Sequence, residues 1–378
     1  MTETVDRQPR VAIIGTRGYP SFYGGFETAV RHLAPALADA GWEVTVYGRG
    51  RVADEAGEGD PRIITRTTRG LETKAFSTLS YGLTATADAI RRKTDVALVM
   101  NVANGYWLPL LKLRGIPVAI NVDGIEWERA KWGRAAKLVF RLGARLSAMF
   151  AETLIVDARA IGDFWKSRYR RDSTFIPYGA VEDGGGVLPA GLRKGEYVLL
   201  VARFVPENTV HEFFDAVEVL APNHDVVIVG SEGYGGDLDN RARDLDDRFA
   251  RVHWLGHLAN DEVLHALWSG AGAYFHGHSV GGTNPALVQA MMLGSPIVAR
   301  DTIYNREVLG NEHGLFVDAD AASITSALAR VLGDEELKRQ VSARSEARAR
   351  EHYTWRGVTE SYEKALRLLL PAKWTRKS

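Results

Sequence analysis

Residues 276 to 291 read HGHSVGGTNPALVQAM: Ser279, Gly281, Gly282, Asn284 and Pro285 lie ahead of an apolar run, with His276, His278 and Gln289 around them. Small and turn-forming residues at this density make a loop whose backbone another group can approach closely, and proline suits the first turn of the helix that follows. A second such loop, GTRGYPSFYGGFE, carries glycines at 15, 18, 24 and 25. There Gly24 and Gly25 would let main-chain N–H groups at a helix start reach a phosphate or a sugar. The alternative is a strand-to-helix connection that uses glycine for its turns alone. In VARFVPEN, Arg203 follows an apolar run, where a guanidinium could grip a diphosphate bidentately. Its alternative is a surface pair with Glu207.

Other chemistries are poorly supplied. The chain has no cysteine, which removes disulfides, thiolate metal sites and a cysteine nucleophile together. Neither GxGxxG nor GxxxxGK[ST] is present. The pairs His276/His278 and His253/His257 lack a third nearby ligand, so no metal site is assigned. Asp237/Asp239 and Asp244/Asp246 imitate a metal-binding DxD, but Asp239 precedes Arg243 by four and Asp244 precedes Arg248 by four. That spacing predicts a solvated helix face with internal ion pairs.

These groups need elements to hold them. VAIIG (11–15), ALVMNV (97–102), PVAINVDG (117–124), TLIVD (153–157), YVLLVARF (197–204), DVVIVGS (225–231), VHWLG (252–256), AYFHG (273–277) and PIVARD (296–301) read as strands, most of them short apolar runs typical of buried parallel strands. Helical stretches alternate with them, such as 25–40 and NDEVLHALW with Asn260 as its N-cap, while Asp157 is the expected N-cap of DARAIGDFWKSRY. The fold class is therefore α/β, with two doubly wound Rossmann-like domains. Six glycines and a proline within 178–196 mark the boundary, giving domains 1–180 and 181–352, with the helix in 353–378 completing the first. Ligands of such sheets sit beyond the carboxyl ends of the strands, so the two glycine loops are expected as lips of an interdomain cleft.

At 378 residues, 46% hydrophobic, with 47 basic and 47 acidic side chains, the chain has the makings of two cores and no global charge, so nucleic acid is not an expected partner. The polar opening MTETVDRQPR lacks the apolar core of a secretion signal, and no apolar run reaches the roughly 18 residues that span a bilayer. A cytoplasmic protein is expected. One local asymmetry adds a membrane reading: 129–171 holds eleven Lys/Arg against three acids. Within 129–150, Arg134, Lys137, Arg141 and Arg145 share a helical face, and Leu138, Val139, Phe140, Leu142, Leu146 and Phe150 cover much of the rest. Such a helix can lie peripherally on the anionic inner face of a membrane, or simply turn its polar side to water.

Taken together, the Gly24-Gly25-x-Glu27 loop, NVDGIEWERAKW, FIPYGA, Arg203 in VARFVPEN, VHWLGHL and the glycine loop before QAM resemble GT-B glycosyltransferases of family 4. GTRGYPSFYGGFET, VDGIEWERAKW, HGHSVGGTNPAL and YNREVLG look like its bacterial rhamnosyltransferase-like subgroup. The resemblance covers almost the whole chain. It implies GT-B architecture and metal-independent, retaining transfer of a hexosyl or deoxyhexosyl group, rhamnose or glucose, from a UDP- or dTDP-sugar. The acceptor would be a glycan, a lipid-linked or a small-molecule hydroxyl. No cofactor is implied beyond the nucleotide sugar.

Residue by residue, the resemblance puts base and ribose near His253 to Leu258, with Gly256 and Leu258 as contacts, and near Gln289. The diphosphate falls at Arg203, and the donor sugar at Gly281, Gly282, Thr283 and Asn284 beside His278. Gly24 and Gly25 join the donor side, and Glu27, Asp123 and Glu126 the acceptor side, with Asp123 and Arg203 as catalytic groups. Three positions depart from the family pattern: Gly281 and Gln289 stand where two glutamates are usual, and Asn208 where a lysine is. A nucleotide-sugar epimerase of the same fold, and a catalytically reduced nucleotide-sugar-binding partner, are the competing readings.

Overall fold

The computed structural model describes residues 7–21, 24–49, 59–71, 77–122, 124–128, 133–311, 314–371 and 374. The chain divides into two compact units, 1–177 with 356–378, and 178–355. The change of unit falls between Pro177 and Tyr178, at the front of the glycine-rich stretch.

In unit 1 the order is β1 (Arg10–Ile14), α1 (Gly25–Asp39), β2 (Glu43–Arg49), β3 (Ile64–Thr68), α2 (Ser77–Arg91), β4 (Val96–Met100), α3 (Leu108–Leu113), β5 (Val118–Asn121), α4 (Arg134–Phe150), β6 (Thr153–Val156), α5 (Arg159–Tyr169) and β7 (Thr174–Phe175). All seven strands are parallel, in the order β3-β2-β1-β4-β5-β6-β7. Central strands such as β4, VALVM, are buried along their whole length, which is why they read as continuous apolar runs. Unit 2 runs β8 (Tyr197–Val201), α6 (Val210–Leu220), β9 (Asp225–Val229), α7 (Asp237–Arg248), β10 (Val252–Trp254), α8 (Asp261–Gly270), β11 (Ala273–His276), α9 (Pro285–Met292), β12 (Ile297–Arg300), α10 (Ile303–Leu309), β13 (Leu315–Val317), α11 (Ala321–Gly333) and α12 (Glu335–His352). Its six parallel strands take the order β10-β9-β8-β11-β12-β13. The last helix, α13 (Trp355–Leu369), lies almost wholly in unit 1, where Tyr362 Oη accepts from Asn121 Nδ2 at 2.6 Å and Arg367 Nη2 donates to the Ala40 carbonyl at 2.9 Å.

Each sheet reverses its winding once, between β1 and β4 in unit 1 and between β8 and β11 in unit 2. At such a point the loops leave in opposite directions and open a crevice at the carboxyl edge. Glycine makes the close approaches there possible. Gly15, at φ +99°, would bring a Cβ within 2.3 Å of the Met100 carbonyl oxygen and 2.5 Å of Asn104 Nδ2. Gly230, at φ +141°, would bring one within 1.7 Å of the Ala202 carbonyl oxygen.

Two local expectations change. Asp157 lies one residue too early to cap α5, whose N-cap is Ala158 with no side-chain cap. Asp239 forms no ion pair with Arg243 among the described residues. It is buried, and its carboxylate accepts from Ser231 Oγ and from the N–H groups of Glu232 and Gly235, while Arg243 donates to Asn240 and lies over the Trp254 ring. Asp244 does pair with Arg248, at 2.8 Å. In α4 the buried face is Gly143, Ala144, Ser147 and Ala148, and Leu138, Leu142 and Met149 lie outside among the arginines.

Replacing Gly15 by alanine combines a left-handed backbone with a backbone clash that no side-chain motion relieves. Gly15→Ala should lower unfolding free energy by about 2 kcal/mol or more, read as a reduced urea midpoint at unchanged slope.

Candidate functional site

The crevice of unit 2 gathers most of the sequence-derived residues. Arg203 follows β8, and its main-chain carbonyl is held by two donors, the Val205 N–H at 2.9 Å and Asn208 Nδ2 at 2.8 Å. Its side chain is exposed, and among the described residues it makes no ion pair with Glu207 or any other acid. Asn208 is buried and turns its Oδ1 to His278 Nδ1 on the loop after β11. Because an amide oxygen only accepts, this bond puts a proton on Nδ1. The asparagine at the position where the family pattern has lysine therefore ties the arginine loop to the glycine loop.

More bonds lash the same loops. The Ser279 N–H and Oγ both donate to the Glu207 carbonyl, at 2.9 and 2.8 Å. Thr209 Oγ1 donates to the Gly277 carbonyl at 2.6 Å and accepts from Arg300 Nη1 at 3.0 Å. Asn305, buried in α10, donates through Nδ2 to the carbonyls of His278 at 2.9 Å and Arg300 at 2.8 Å. Gly277 is a necessity of this packing, since a Cβ there would stand 2.3 Å from the Asn208 carbonyl oxygen. Thr209, Arg300 and Asn305 were not singled out from the sequence. YNREVLG contains Asn305, but one of its partners, the His278 carbonyl, lies on another loop 27 residues away and leaves no local signal.

Within the loop, Gly281 sits at φ +106°, while Gly282 and Thr283 are buried. Asn284 caps α9 with its side-chain oxygen on the Ala286 N–H at 2.9 Å, and its carbonyl takes the N–H groups of Leu287 and Val288. The first turn of α9 is thus largely satisfied from within. Among the described residues, the N–H groups of Gly281 and Gly282 have no protein acceptor. On the other flank the Gly256 carbonyl accepts from Gly230 N–H at 2.7 Å, tying the loops after β9 and β10, with Leu258 half-buried just beyond.

Gln289, which the resemblance places near the ribose, is held by the main chain of Val181. It is nearly buried on α9, and its amide closes a two-bond clasp on one residue: Oε1 accepts from the Val181 N–H at 2.9 Å and Nε2 donates to the Val181 carbonyl at 2.8 Å. One N–H and one lone pair remain to the amide after that. His276, at the end of β11, is fully buried, with Nδ1 3.2 Å from Tyr274 Oη and no partner on Nε2. Burial, aided by the nearby His278, holds its pKa well below 6.5.

In unit 1 the corresponding crevice carries Gly24 at φ +110° as N-cap of α1, with Gly25 opening the helix. Glu27, buried in the first turn, accepts from the Arg17 N–H at 3.1 Å, and burial pushes its carboxyl above the ordinary range against the pull of the main-chain N–H groups and of Arg17 and Arg49. Glu126 is half-buried in the short 3₁₀ turn Glu126–Glu128, and Asp123 lies outside the described residues. Among the described residues no group of three or more His, Asp or Glu is placed to hold a metal ion, and no helix is long and apolar enough to cross a membrane.

With this geometry in hand, the comparisons define the class. Both units are Rossmann-like and the fold is that of the GT-B class. Sucrose-phosphate synthase from Thermosynechococcus elongatus superposes with a TM-score of 0.80 at 19% identity, over 96% of this chain and 99% of that one. Anabaena Alr3699/HepE in complex with UDP-glucose gives 0.74 at 14% identity, over 95% and 99%. Residues 191–348, within unit 2, match the family described as Glycosyl transferases group 1. Residues 104–181 match a domain of unknown function, DUF1972. O-antigen chain mannosyltransferase B of Escherichia coli is similar at 23% identity over 178 residues, and the match spans about half the length of that relative, 46% of each chain.

Two outcomes are expected. Gln289→Ala removes both bonds to Val181 and should cost about 1–2 kcal/mol of stability in denaturant unfolding. His276 is neutral in the fold and titrates near 6.5 when unfolded. The unfolded chain therefore binds the extra proton below that pH, and stability, complete above about 6.5, should fall by up to about 1.4 kcal/mol per pH unit on acidification. In His276→Phe that part of the slope should vanish.

Proposed function

We propose that this protein is a retaining glycosyltransferase that moves a hexosyl or deoxyhexosyl group, rhamnose or glucose, from a UDP- or dTDP-sugar to an acceptor hydroxyl without a metal. The observation that carries this reading is the unit 2 crevice: an exposed guanidinium on a fixed loop, bound through Asn208 to a glycine loop with two unclaimed amides. The group 1 match over 191–348 and the likeness of the fold to a protein solved with UDP-glucose support the nucleotide sugar. Successive strand ends stand ~4.8 Å apart, so the loops after β10, β9, β8 and β11 line a run of roughly 14 Å. An elongated ligand suits it, with base and ribose toward Gly256 and Leu258, diphosphate at Arg203 and sugar at Gly281 to Asn284 beside His278.

In the reaction, the bond from the anomeric carbon to the diphosphate oxygen breaks with its electron pair leaving on the phosphate. The acceptor oxygen forms the new bond on the same face, and its proton passes to the released phosphate. Negative charge therefore grows where Arg203 and the amides of Gly281 and Gly282 can meet it, and fixed donors aimed at developing charge lower the barrier. We assign Gly24 and Gly25 to the donor side, and acceptor recognition to Glu27, Asp123 and Glu126, with Asp123 stabilising the oxocarbenium-like centre. The acceptor is a glycan, lipid-linked or small-molecule hydroxyl. The basic stretch 129–150 would hold the protein peripherally against the inner face of the membrane.

Arg203→Ala should lower kcat by roughly 10²-fold, the loss typical of a donor that acts on transition-state charge. The measurement is steady-state transfer from a panel of nucleotide sugars, with product linkage read by NMR. An unchanged kcat with raised donor KM would remove Arg203 from the chemistry. Nucleotide release from donor without any acceptor would favour the epimerase reading.

A further inference from the structure

Unit 1 also contains a recess lined by Trp127 and by residues of α4 and α5. It lies between α4 and α5 and encloses about 770 Å³. Arg141 and Arg145 line it from α4, and Arg168 and Arg170 from the end of α5, with no carboxylate among the lining residues. Among the described residues none of the four makes an ion pair, although surface arginines elsewhere in the chain commonly do. The carbonyls that end α4 are taken by a fifth arginine, Arg171, through Ala148, Ala151 and Glu152. Four like charges gathered without a counter-charge repel one another until an anion arrives.

Two further observations bear on what that anion is. Arg170 occupies the left-handed position that ends α5, at φ +55°, where glycine or asparagine is the ordinary residue. A long cation held in that conformation fits a need for its charge at this spot. Next to the arginines the surface is apolar: Leu138, Leu142 and Met149 are 58%, 46% and 60% exposed on the outward stripe of α4 that carries Arg134, Arg141 and Arg145. The recess itself has aromatic walls, with Trp127 to Phe164 at 5.9 Å and Phe164 to Tyr169 at 6.3 Å between ring centroids. Guanidinium forks match phosphate oxygens, and exposed aliphatic side chains beside them match hydrocarbon.

We propose that this recess seats the phosphate headgroup of an anionic membrane lipid, with the lipid chain lying along Leu138, Leu142 and Met149. The assignment rests on the reading that α4 meets an anionic bilayer, and it turns a diffuse attraction into a site with named residues. The shape of the recess matters as well as its charge, so changes that keep the charge but lose the fork should be felt.

The full-length protein is tested by co-sedimentation with vesicles of phosphatidylglycerol in phosphatidylcholine, and with phosphatidylcholine alone. Wild type should bind the first and not the second. Arg141→Gln/Arg168→Gln should weaken partitioning tenfold or more, whereas the charge-matched change Arg193→Gln/Lys194→Gln in unit 2 should weaken it less than threefold. Arg141→Lys/Arg168→Lys, which preserves net charge, should fall between, and Leu138→Ser/Leu142→Ser should also reduce binding. All these positions are at the surface, and an unchanged melting temperature confirms that the variants are folded. Equal losses in the recess and charge-matched pairs, or full binding by the lysine pair, would overturn the site and leave the bilayer reading intact. No binding to phosphatidylglycerol vesicles overturns both, and binding of soluble inorganic diphosphate without vesicle binding would reassign the recess to a free anion.

Discussion

The Asn208 side chain is the joint on which the unit 2 site depends. One amide holds the Arg203 carbonyl on one side and the His278 ring on the other, so two loops that leave adjacent parallel strands keep a common geometry. A buried amide satisfied at both ends gives up little to solvent, and a proton fixed on Nδ1 of the ring comes with it. Thr209 and Asn305 extend the same principle across the loops after β11 and β12. The result is a preformed surface, and in the reaction proposed above little reorganisation would be left for the moment when charge develops on the phosphate.

The strands of both sheets were legible because a parallel strand buried on both faces must be apolar throughout, as VAIIG, YVLLV and AYFH are. Three of the four edge strands escaped for the same reason in reverse. β3, ITRTT, is largely exposed, and β7 and β13 are two and three residues long, so none has a run to read. The positions of Arg203 and the glycine loop were legible too, since each follows an apolar run by one or two residues. Their partners were not. Val181 lies 108 residues from the glutamine whose amide it engages, and nothing in the local sequence of either announces the pair.

The misreading of Asp239 has a related cause. Spacing of four predicts a surface ion pair when both residues face water, but the turn SEGYGG ahead of α7 offers three donors that hold the carboxylate inside. The same competition between local spacing and tertiary packing turned α4. Periodicity favours burying its leucines, yet the short side chains of Gly143 and Ser147 allow approach to the 102–107 turn so close that a Cβ on Gly105 would meet the Gly143 carbonyl oxygen at 2.2 Å.

This small-residue face has an entropic consequence. Glycine and alanine lose almost no side-chain freedom on burial, so α4 is anchored at little rotameric cost, while its arginines, leucines and methionine keep their conformers in the free protein. Whatever orders that outward stripe must take on the loss at the moment of contact, at about 0.5–1.5 kcal/mol for each long side chain immobilised. Adhesion there is consequently shallow for each group engaged and sensitive to how many engage together, which favours rapid exchange over permanent attachment.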